Sequence, residues 1–279
     1  MLRWLAPFLL ATLLPAQALA WGSLGHRIVA VAAAHDLPPG PAAWFNGAEA
    51  DLTAHAMDPD HWKGRDHLEG PRHYLDCELY GGPASVPRDP AVARARLGPE
   101  AFLLAGQVPW VVLERVDRLA QAFRAGDAGA VRVEAARLSH YVGDLSVPLH
   151  TTTNHNGELS GQHGIHHRWE SGLVEDLVRK GGWRPPVRAI RRLDDVPGAP
   201  WAWLADSHAL VPGVLAADLE AAGRPEPAPT WRSHAYWQVF LDLQGRQVER
   251  QLDVAAVRTA QLILEAWHRA GEPPAPASR

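Results

Sequence analysis

The chain is poor in cysteine, in long apolar runs and in positive charge, and each shortage excludes a class of protein. Cys77 is the only cysteine in 279 residues, so no intrachain disulfide can form. After residue 20, no segment reaches the roughly 18 uncharged apolar residues that a membrane span needs. Basic residues number 27 against 31 acidic ones, a formal net charge of −4, which argues against a broad electrostatic grip on polyanions. We expect packing and bound metal to stabilise the fold.

The first twenty residues are typical of a secretory signal peptide. One arginine supplies a positive charge, residues 5–14 form an apolar run too short to cross a bilayer, and A-L-A at 18–20 fits a cleavage site. We therefore predict an exported protein, periplasmic or secreted, without stable membrane insertion. The mature chain would begin at Trp21, with one domain at 21–270 and a disordered tail at 271–279.

The remaining apolar residues recur with the period of helices, and strand-like alternation is scarce. Pro109 is expected either to kink the helix over 99–125 or to mark its true start. Two proline-containing stretches, at 183–201 and 223–230, are expected to be surface loops within one domain. The predicted fold class is all-α, a single multi-helix domain. The predicted helices cover 28–34, 42–52, 99–125, 128–144, 165–179, 231–244 and 254–270.

Fifteen histidines are present, and one short stretch combines several of them with carboxylates. His140 and Asp144 are four residues apart, as are His166 and Glu170, and His150 lies between the two pairs. On a helix, residues four apart project from the same face, so each pair presents an imidazole beside a carboxylate. Nitrogen and carboxylate oxygen are the ligands of catalytic zinc sites, which keep a position open to water. The stretch therefore predicts a metal site.

Two other segments carry candidate ligands. His26 lies five residues after Trp21, whose α-amine would be freed by signal-peptide cleavage and could then bind a metal. An aperiodic segment rich in Asp, His, Gly and Pro contains Asp58, Asp60 and His73, and such loops often carry functional residues. From the residues alone, either aspartate could be a ligand, a turn residue or a helix cap.

These residues stand in four motifs: W-G-x-x-G-H at 21–26, H-Y-L-D at 73–76, H-Y-V-G-D-x-x-x-P-L-H at 140–150 and G-I-H-x-x-W-E at 164–170. Together they resemble the phospholipase C/P1 nuclease superfamily, and S1/P1 nucleases in particular. The resemblance implies a secreted, all-helical phosphoesterase packed around a trinuclear zinc site. The residues after 170 match only as closing helices.

The resemblance also implies a ligand set for each of three zinc ions. In the first set, Asp58 is preferred to Asp60 for its spacing to His73. In the second, the amine and the carbonyl of Trp21 both bind, and Asp144 is shared with the first. The three sets are Asp58, His73, His140 and Asp144; then Trp21, His26 and Asp144; then His150, His166 and Glu170.

The implied reaction is hydrolysis of a phosphodiester by a water that zinc activates. Asp58 would orient this water or accept its proton. A nuclease-like enzyme would act on single-stranded nucleic acid and 3′-nucleotides, with Tyr74 stacking on a base and Asp76 hydrogen-bonding its edge. Tyr74 could equally be a core aromatic. We expect a monomer.

A phospholipase C acting on phospholipid head groups is the alternative. Glu170 in place of aspartate, a short loop at 151–165 and the lack of paired cysteines depart from the nuclease pattern. So does His61, three residues after Asp58, where such nucleases carry arginine. The H-Y-L-D motif favours a nuclease. A second alternative, a non-catalytic exported zinc-binding protein, would need closed sites with four protein ligands, whereas these sets leave open positions.

Overall fold

Helices form the regular structure of residues 22–223 and 233–277, which are the part of the chain that the computed structural model describes. The all-α prediction is confirmed: in these ranges the only β pairing is one isolated bridge between Leu75 and Gly106. The predicted signal peptide and Trp21 lie outside the described residues. The α-helices are α1 (Gly22–His35), α2 (Pro39–Ala42), α3 (Glu49–His55), α4 (Asp58–Trp62), α5 (Pro90–Leu97), α6 (Pro99–Leu104), α7 (Val108–Ala125), α8 (Ala128–Ser146), α9 (Ile165–His167), α10 (Leu173–Glu175), α11 (Ala199–His208), α12 (Val211–Ala222) and α13 (His234–Arg269).

The helix predicted over 99–125 is two helices, and Pro109 stands in the first turn of the second, α7. Proline is tolerated there because the first amides of a helix have no intrahelical partner. Gly126, with φ 69°, ends α7 in the left-handed conformation that favours glycine. Asp127 then caps α8 by accepting a hydrogen bond from the amide of Ala130 at 3.0 Å.

The two closing helices predicted from the sequence are one helix, α13, of 36 residues. Ser233 caps its start by accepting from the amide of Tyr236 at 3.1 Å. The segment between the two predicted helices contains no proline, and its glycine, Gly245, lies against Leu177 and Leu241. A helix can continue through such a glycine because close packing offsets its lower intrinsic propensity.

Two apolar clusters form the core, and α13 contributes to both. Its N-terminal half packs in one cluster with Trp169 and Leu173, and its C-terminal half packs in the other against α7 and α8. The described part of the tail expected to be disordered is attached to the rest of the protein, because the carbonyl of Pro273 accepts hydrogen bonds from the indoles of Trp44 and Trp267. No described helix combines the length and the apolar character needed to cross a membrane.

Candidate metal centre

Buried histidines and carboxylates from separate helical elements meet near the C-terminal end of α8. Helix α8 contributes His140 and Asp144 one turn apart, as their i,i+4 spacing predicts. The other elements are α1, α4, two short 3₁₀ turns, and the helical stretch that starts at α9 and continues through a π turn at Arg168–Gly172. They contribute, in order, His26, Asp60, His73, His150, His166 and Glu170, all buried.

Asp144 lies at the centre, and its two oxygens face different neighbours. Oδ2 is 2.9 Å from Nδ1 of His73 and 3.5 Å from Nε2 of His140. Oδ1 is 3.4 Å from Nε2 of His26 and 3.9 Å from Nε2 of His150. A carboxylate with this arrangement can bind one metal ion through each oxygen.

Three groups of ligand atoms each lie within 4.8 Å of one another, close enough to hold a metal ion. Two of them share His140 and therefore adjoin one another. The third is compact: Nε2 of His166 is 3.1 Å from both Nε2 of His150 and Oε2 of Glu170. The groups are His26, Asp60 and His140; His73, His140 and Asp144; and His150, His166 and Glu170.

Backbone carbonyls fix the orientation of three of these imidazoles. Nδ1–H of His140 donates to the carbonyl of Ala56 at 2.7 Å, and that of His150 donates to the carbonyl of His73 at 2.8 Å. Nδ1–H of His166 donates to His155 at 3.0 Å. In each ring the lone pair is therefore on Nε2, which faces the cluster, as metal binding requires.

The electrostatics of the central pocket suit a cation. Burial lowers the pKa of His26, His73 and His140 well below the usual value, so these rings are neutral and able to bind metal. Burial raises the pKa of Asp144 well above the usual value, and Asp60 and Glu170 add to this effect. A buried carboxylate is costly without a compensating positive charge, which a metal ion supplies.

Unsatisfied polar atoms support the same reading. Both ring nitrogens of His26, Oδ2 of Asp60 and Oδ1 of Asp144 are buried without a hydrogen-bond partner among the described residues. Such atoms are rare in folded proteins unless a ligand or an ion satisfies them.

The third group differs from the other two in its electrostatics. Burial alone would raise the pKa of Glu170, but His166 and His150 lower it to about 2. The donors of all three groups therefore fit zinc.

Comparison with known families agrees with this donor set. A family model described as S1/P1 Nuclease matches residues 21–267, nearly the whole chain. The chain belongs to the S1/P1 nuclease family. No individual curated protein matches it. Family membership makes the chain a hydrolase of phosphodiester bonds with nucleic acid as its general substrate class, and the buried clusters could hold its metal ions.

Within this S1/P1 fold, the preference for Asp58 over Asp60 does not match the geometry. Oδ2 of Asp58 accepts from Nε and Nη2 of Arg137 at 2.9 and 2.8 Å and lies 3.0 Å from Nδ1 of His55. Oδ1 of Asp60 instead lies 3.7 Å from Nε2 of His140. The two aspartates are two positions apart on α4, with Pro59 between them, so they project from nearly opposite faces of the helix.

The predicted base-binding residues lie beside the cluster. The amide of Leu75 donates to the carbonyl of His150 at 2.9 Å, which ties the segment that carries Tyr74 to a ligand residue. Gly106, with φ +89°, approaches so closely that a Cβ there would lie 2.2 Å from the carbonyl oxygen of Tyr74. The ring of Tyr74 is partly exposed, and its hydroxyl donates to the carbonyl of Leu104 at 3.0 Å.

Asp76 is largely buried close to Tyr74. Burial raises its pKa to about 7, and the nearby carboxylates of Glu78 and Glu158 act in the same direction. At neutral pH both its protonated and its ionised forms are therefore populated. The first can donate a hydrogen bond to a ligand, and the second can only accept one.

Three residues near the cluster were missed by sequence reasoning. Lys63 stands three residues after Asp60, and its Nζ donates to Oδ1 of that aspartate at 2.6 Å. The ring of His155 lies 6.5 Å from that of Tyr74, and Glu69 approaches His73. For Lys63 the signal was its spacing of three residues from Asp60. His155 sits in an irregular loop, so no periodic pattern marks it.

Proposed function

We propose that this chain is a zinc-dependent nuclease that hydrolyses single-stranded nucleic acid and 3′-nucleotides. The observation that carries the proposal is an aromatic slot beside the metal ligands. The rings of Tyr74 and His155 are nearly parallel, with centroids 6.5 Å apart and an angle of 19° between their planes. Stacked bases are about 3.4 Å apart, so one base between two rings needs a separation of about 6.8 Å. The distance between the two ring centroids is close to that value.

Both walls of the slot are connected to ligands. Tyr74 follows His73 directly, and the carbonyl of His155 accepts from Nδ1 of His166. A base between the two rings would therefore hold its own phosphate near the third ligand group. A base inside a duplex is paired and stacked and would have to be extruded first, which costs a few kcal/mol. This cost favours single-stranded substrates.

We propose three zinc ions, with Asp60 in the place first given to Asp58. In the second set we propose the amine and the carbonyl of Trp21 as ligands, and Trp21 lies outside the described residues. Extra residues left before Trp21 are expected to lower the zinc content, which metal analysis measures. The sets are Asp60, His73, His140 and Asp144; then Trp21, His26 and Asp144; then His150, His166 and Glu170.

Bound zinc would supply a water of lowered pKa and positive charge next to the phosphate oxygens. The chain positions the other participants. Asp60 has a buried Oδ2 without a hydrogen-bond partner, so it can orient that water and accept its proton. Lys63, whose side chain is largely buried, places an ammonium at the same point and can contact a phosphate oxygen. It stands where the nuclease resemblance expects an arginine.

Asp60 and Asp58 can be tested as a matched pair. Replacing Asp60 by Asn is expected to lower the zinc content by about one ion per chain and the activity by about 100-fold or more, because a charged ligand is lost. Replacing Asp58 by Asn should leave three zinc ions and cost about 1–2 kcal/mol of unfolding free energy through the weakened pairing with Arg137. Metal analysis with thermal unfolding distinguishes them, and the reverse pattern would restore Asp58 as the ligand.

A phospholipase C activity is the second candidate, and exposed leucines favour it. The side chain of Leu104 is 68% exposed, and the carbonyl of the same residue accepts the hydrogen bond from the hydroxyl of Tyr74. Leu159 is 74% exposed and lies in the loop that carries His155. Exposed apolar side chains of this kind could contact acyl chains. A non-catalytic zinc protein is the weaker alternative, because the third group has three protein ligands and an open position.

Turnover of four substrates by the purified, zinc-loaded mature protein tests the proposal. The substrates are single-stranded DNA, RNA, a 3′-nucleotide and phosphatidylcholine, each compared by kcat/KM under the same conditions. We expect the nucleic acids and the 3′-nucleotide to be cleaved well and phosphatidylcholine poorly. Preference for phosphatidylcholine would replace the nuclease by the phospholipase, and no turnover by a protein that carries three zinc ions would support the non-catalytic alternative.

A further inference from the structure

The histidines of the cluster are not all oriented in the same way. His140, His150 and His166 each donate Nδ1–H to a backbone carbonyl and face the cluster with Nε2. His73 is reversed: its Nδ1 is 2.9 Å from Oδ2 of Asp144 and 3.1 Å from Nε2 of His140. Its Nε2 points outward and must carry the proton if Nδ1 is to bind metal.

A carboxylate lies on the outer side of His73. Oε1 of Glu69 is 3.4 Å from Nε2 of His73, a nitrogen that is buried and has no hydrogen-bond partner among the described residues. Glu69 is itself held in place. Its Oε1 accepts a short hydrogen bond from the hydroxyl of Tyr141, and its Oε2 lies 3.4 Å from Nε of Arg72.

The two residues that hold Glu69 are also fixed. Tyr141 is fully buried and directly follows the ligand His140 on α8. Arg72 donates to the carboxylate of Glu114 at 2.9 Å. Glu69 is 5% exposed, and its carboxylate is held by these two side chains. A carboxylate buried and fixed beside the outer nitrogen of a ligand histidine is the arrangement that orients such rings in many metal sites.

We infer that Glu69 is the positioning residue for His73, an inference that rests on the proposed zinc site. With its Oε1 3.4 Å from Nε2, Glu69 favours the tautomer that carries the proton on Nε2 and the lone pair on Nδ1, and its negative charge makes the ring a stronger donor to the metal. Tyr141 holds the carboxylate against the ring. His140, His150 and His166 are oriented by neutral backbone carbonyls. Glu69 instead places a negative charge beside His73 and so strengthens the binding of the close pair of metal ions.

Glu69 could also serve only for stability, since it is buried and paired with Arg72 and Tyr141. The two roles differ in where a substitution acts. A positioning role affects the zinc ions bound by His73, whereas a purely structural role lowers stability and leaves zinc affinity unchanged once the protein is folded. Replacing Glu69 by Gln keeps the shape and an acceptor oxygen but removes the charge, and Ala removes both.

Zinc affinity measured by competition with a chromophoric chelator tests the inference. Glu69→Ala is expected to weaken binding at the close pair by about 10- to 100-fold and to leave the third zinc unchanged. Glu69→Gln should have a smaller effect. Glu134→Gln is the control, because Glu134 is a partly buried carboxylate that pairs with Arg115 and Arg137 rather than with any of the described ligand residues. It should not change zinc affinity.

Two further measurements separate positioning from stability. The imidazole ¹⁵N shifts of His73 should report Nε2–H in the wild type and a mixture of tautomers in Glu69→Ala without zinc. In Glu69→Gln, the acid limb of kcat/KM should move to lower pH, because a less negative surrounding lowers the pKa of the activated water. Unchanged affinity and tautomer together with a lower Tm would overturn the inference. Failure of the zinc-site proposal itself would appear separately, as a wild type that binds no zinc.

Discussion

Replacing Asp144 by Asn is expected to remove both zinc ions of the close pair and to lower activity by about 10³-fold or more. Oδ2 of Asp144 faces His73 and His140, and Oδ1 faces His26. In the proposed ligand sets every other residue binds a single ion, so no other substitution should remove two ions at once. With the pair lost, the low pKa of the activated water is lost as well, and this accounts for the size of the effect.

Metal analysis of folded protein decides this prediction, with two variants for comparison. His166→Ala should lose only the third zinc, because Nε2 of His166 contacts His150 and Glu170. Asp218→Asn is the matched control, because Asp218 is a buried aspartate that pairs with Arg168 rather than with a ligand. It should lower Tm and keep the close pair. If Asp144→Asn retained three zinc ions, the shared carboxylate would be elsewhere.

The parts of this centre that could be predicted from the sequence are those encoded by helical spacing. His140 with Asp144 and His166 with Glu170 face one another because residues four apart share a face. The same rule applied to Glu69 and His73, which are also four apart, but Pro71 and a 3₁₀ turn between them obscured the pattern. Glu69 and His73 still lie side by side, although the turn between them is a 3₁₀ helix rather than an α-helix.

The choice between Asp58 and Asp60 could not be made from the sequence. Distance along the chain to His73 says nothing about which face of a one-turn helix points inward. The observation that favours Asp60 is that Asp58 pairs with Arg137 of α8, some eighty residues further along the chain. Non-local pairing of this kind leaves no local signal.

The all-α class was predictable because the apolar residues recur with a helical period throughout, but element boundaries were less so. The continuous helix α13 was predicted as two because its middle is polar and contains Gly245. That glycine is buried against Leu177, a contact that depends on tertiary structure. The attachment of the tail also depends on distant residues, the indoles of Trp44 and Trp267.

Replacing Tyr74 by Ala is expected to lower kcat/KM on single-stranded substrates by roughly 5- to 150-fold. Base stacking on an aromatic ring contributes about 1–3 kcal/mol, and this range of free energy converts to that range of rates. Bis-p-nitrophenyl phosphate has no base to place between Tyr74 and His155, so its hydrolysis reports the metal chemistry alone. It should change little in the same variant.

Two variants of the slot sharpen this test. Tyr74→Phe keeps the ring and removes only the hydrogen bond to Leu104, so it should behave almost like the wild type on every substrate. His155→Ala removes the opposite wall but keeps the backbone carbonyl that orients His166, so it should also lose activity selectively on nucleic acid. In the double variant the losses should not add, because the two rings contact the same base.

The alternatives make different predictions for the same variants. If Tyr74 were a packing residue, both substrates would lose activity together and Tm would fall, as for other large-to-small changes. If the protein were a phospholipase whose lipid contacts Leu104 and Leu159, Tyr74→Ala would affect the hydrolysis of phosphatidylcholine. The hydrolysis of single-stranded DNA would be slow in the wild type and would stay unchanged in the variant. A loss confined to nucleic acid, with an unchanged rate on bis-p-nitrophenyl phosphate, requires a base in contact with the ring. The result for this one substitution would therefore distinguish a nuclease from a phospholipase.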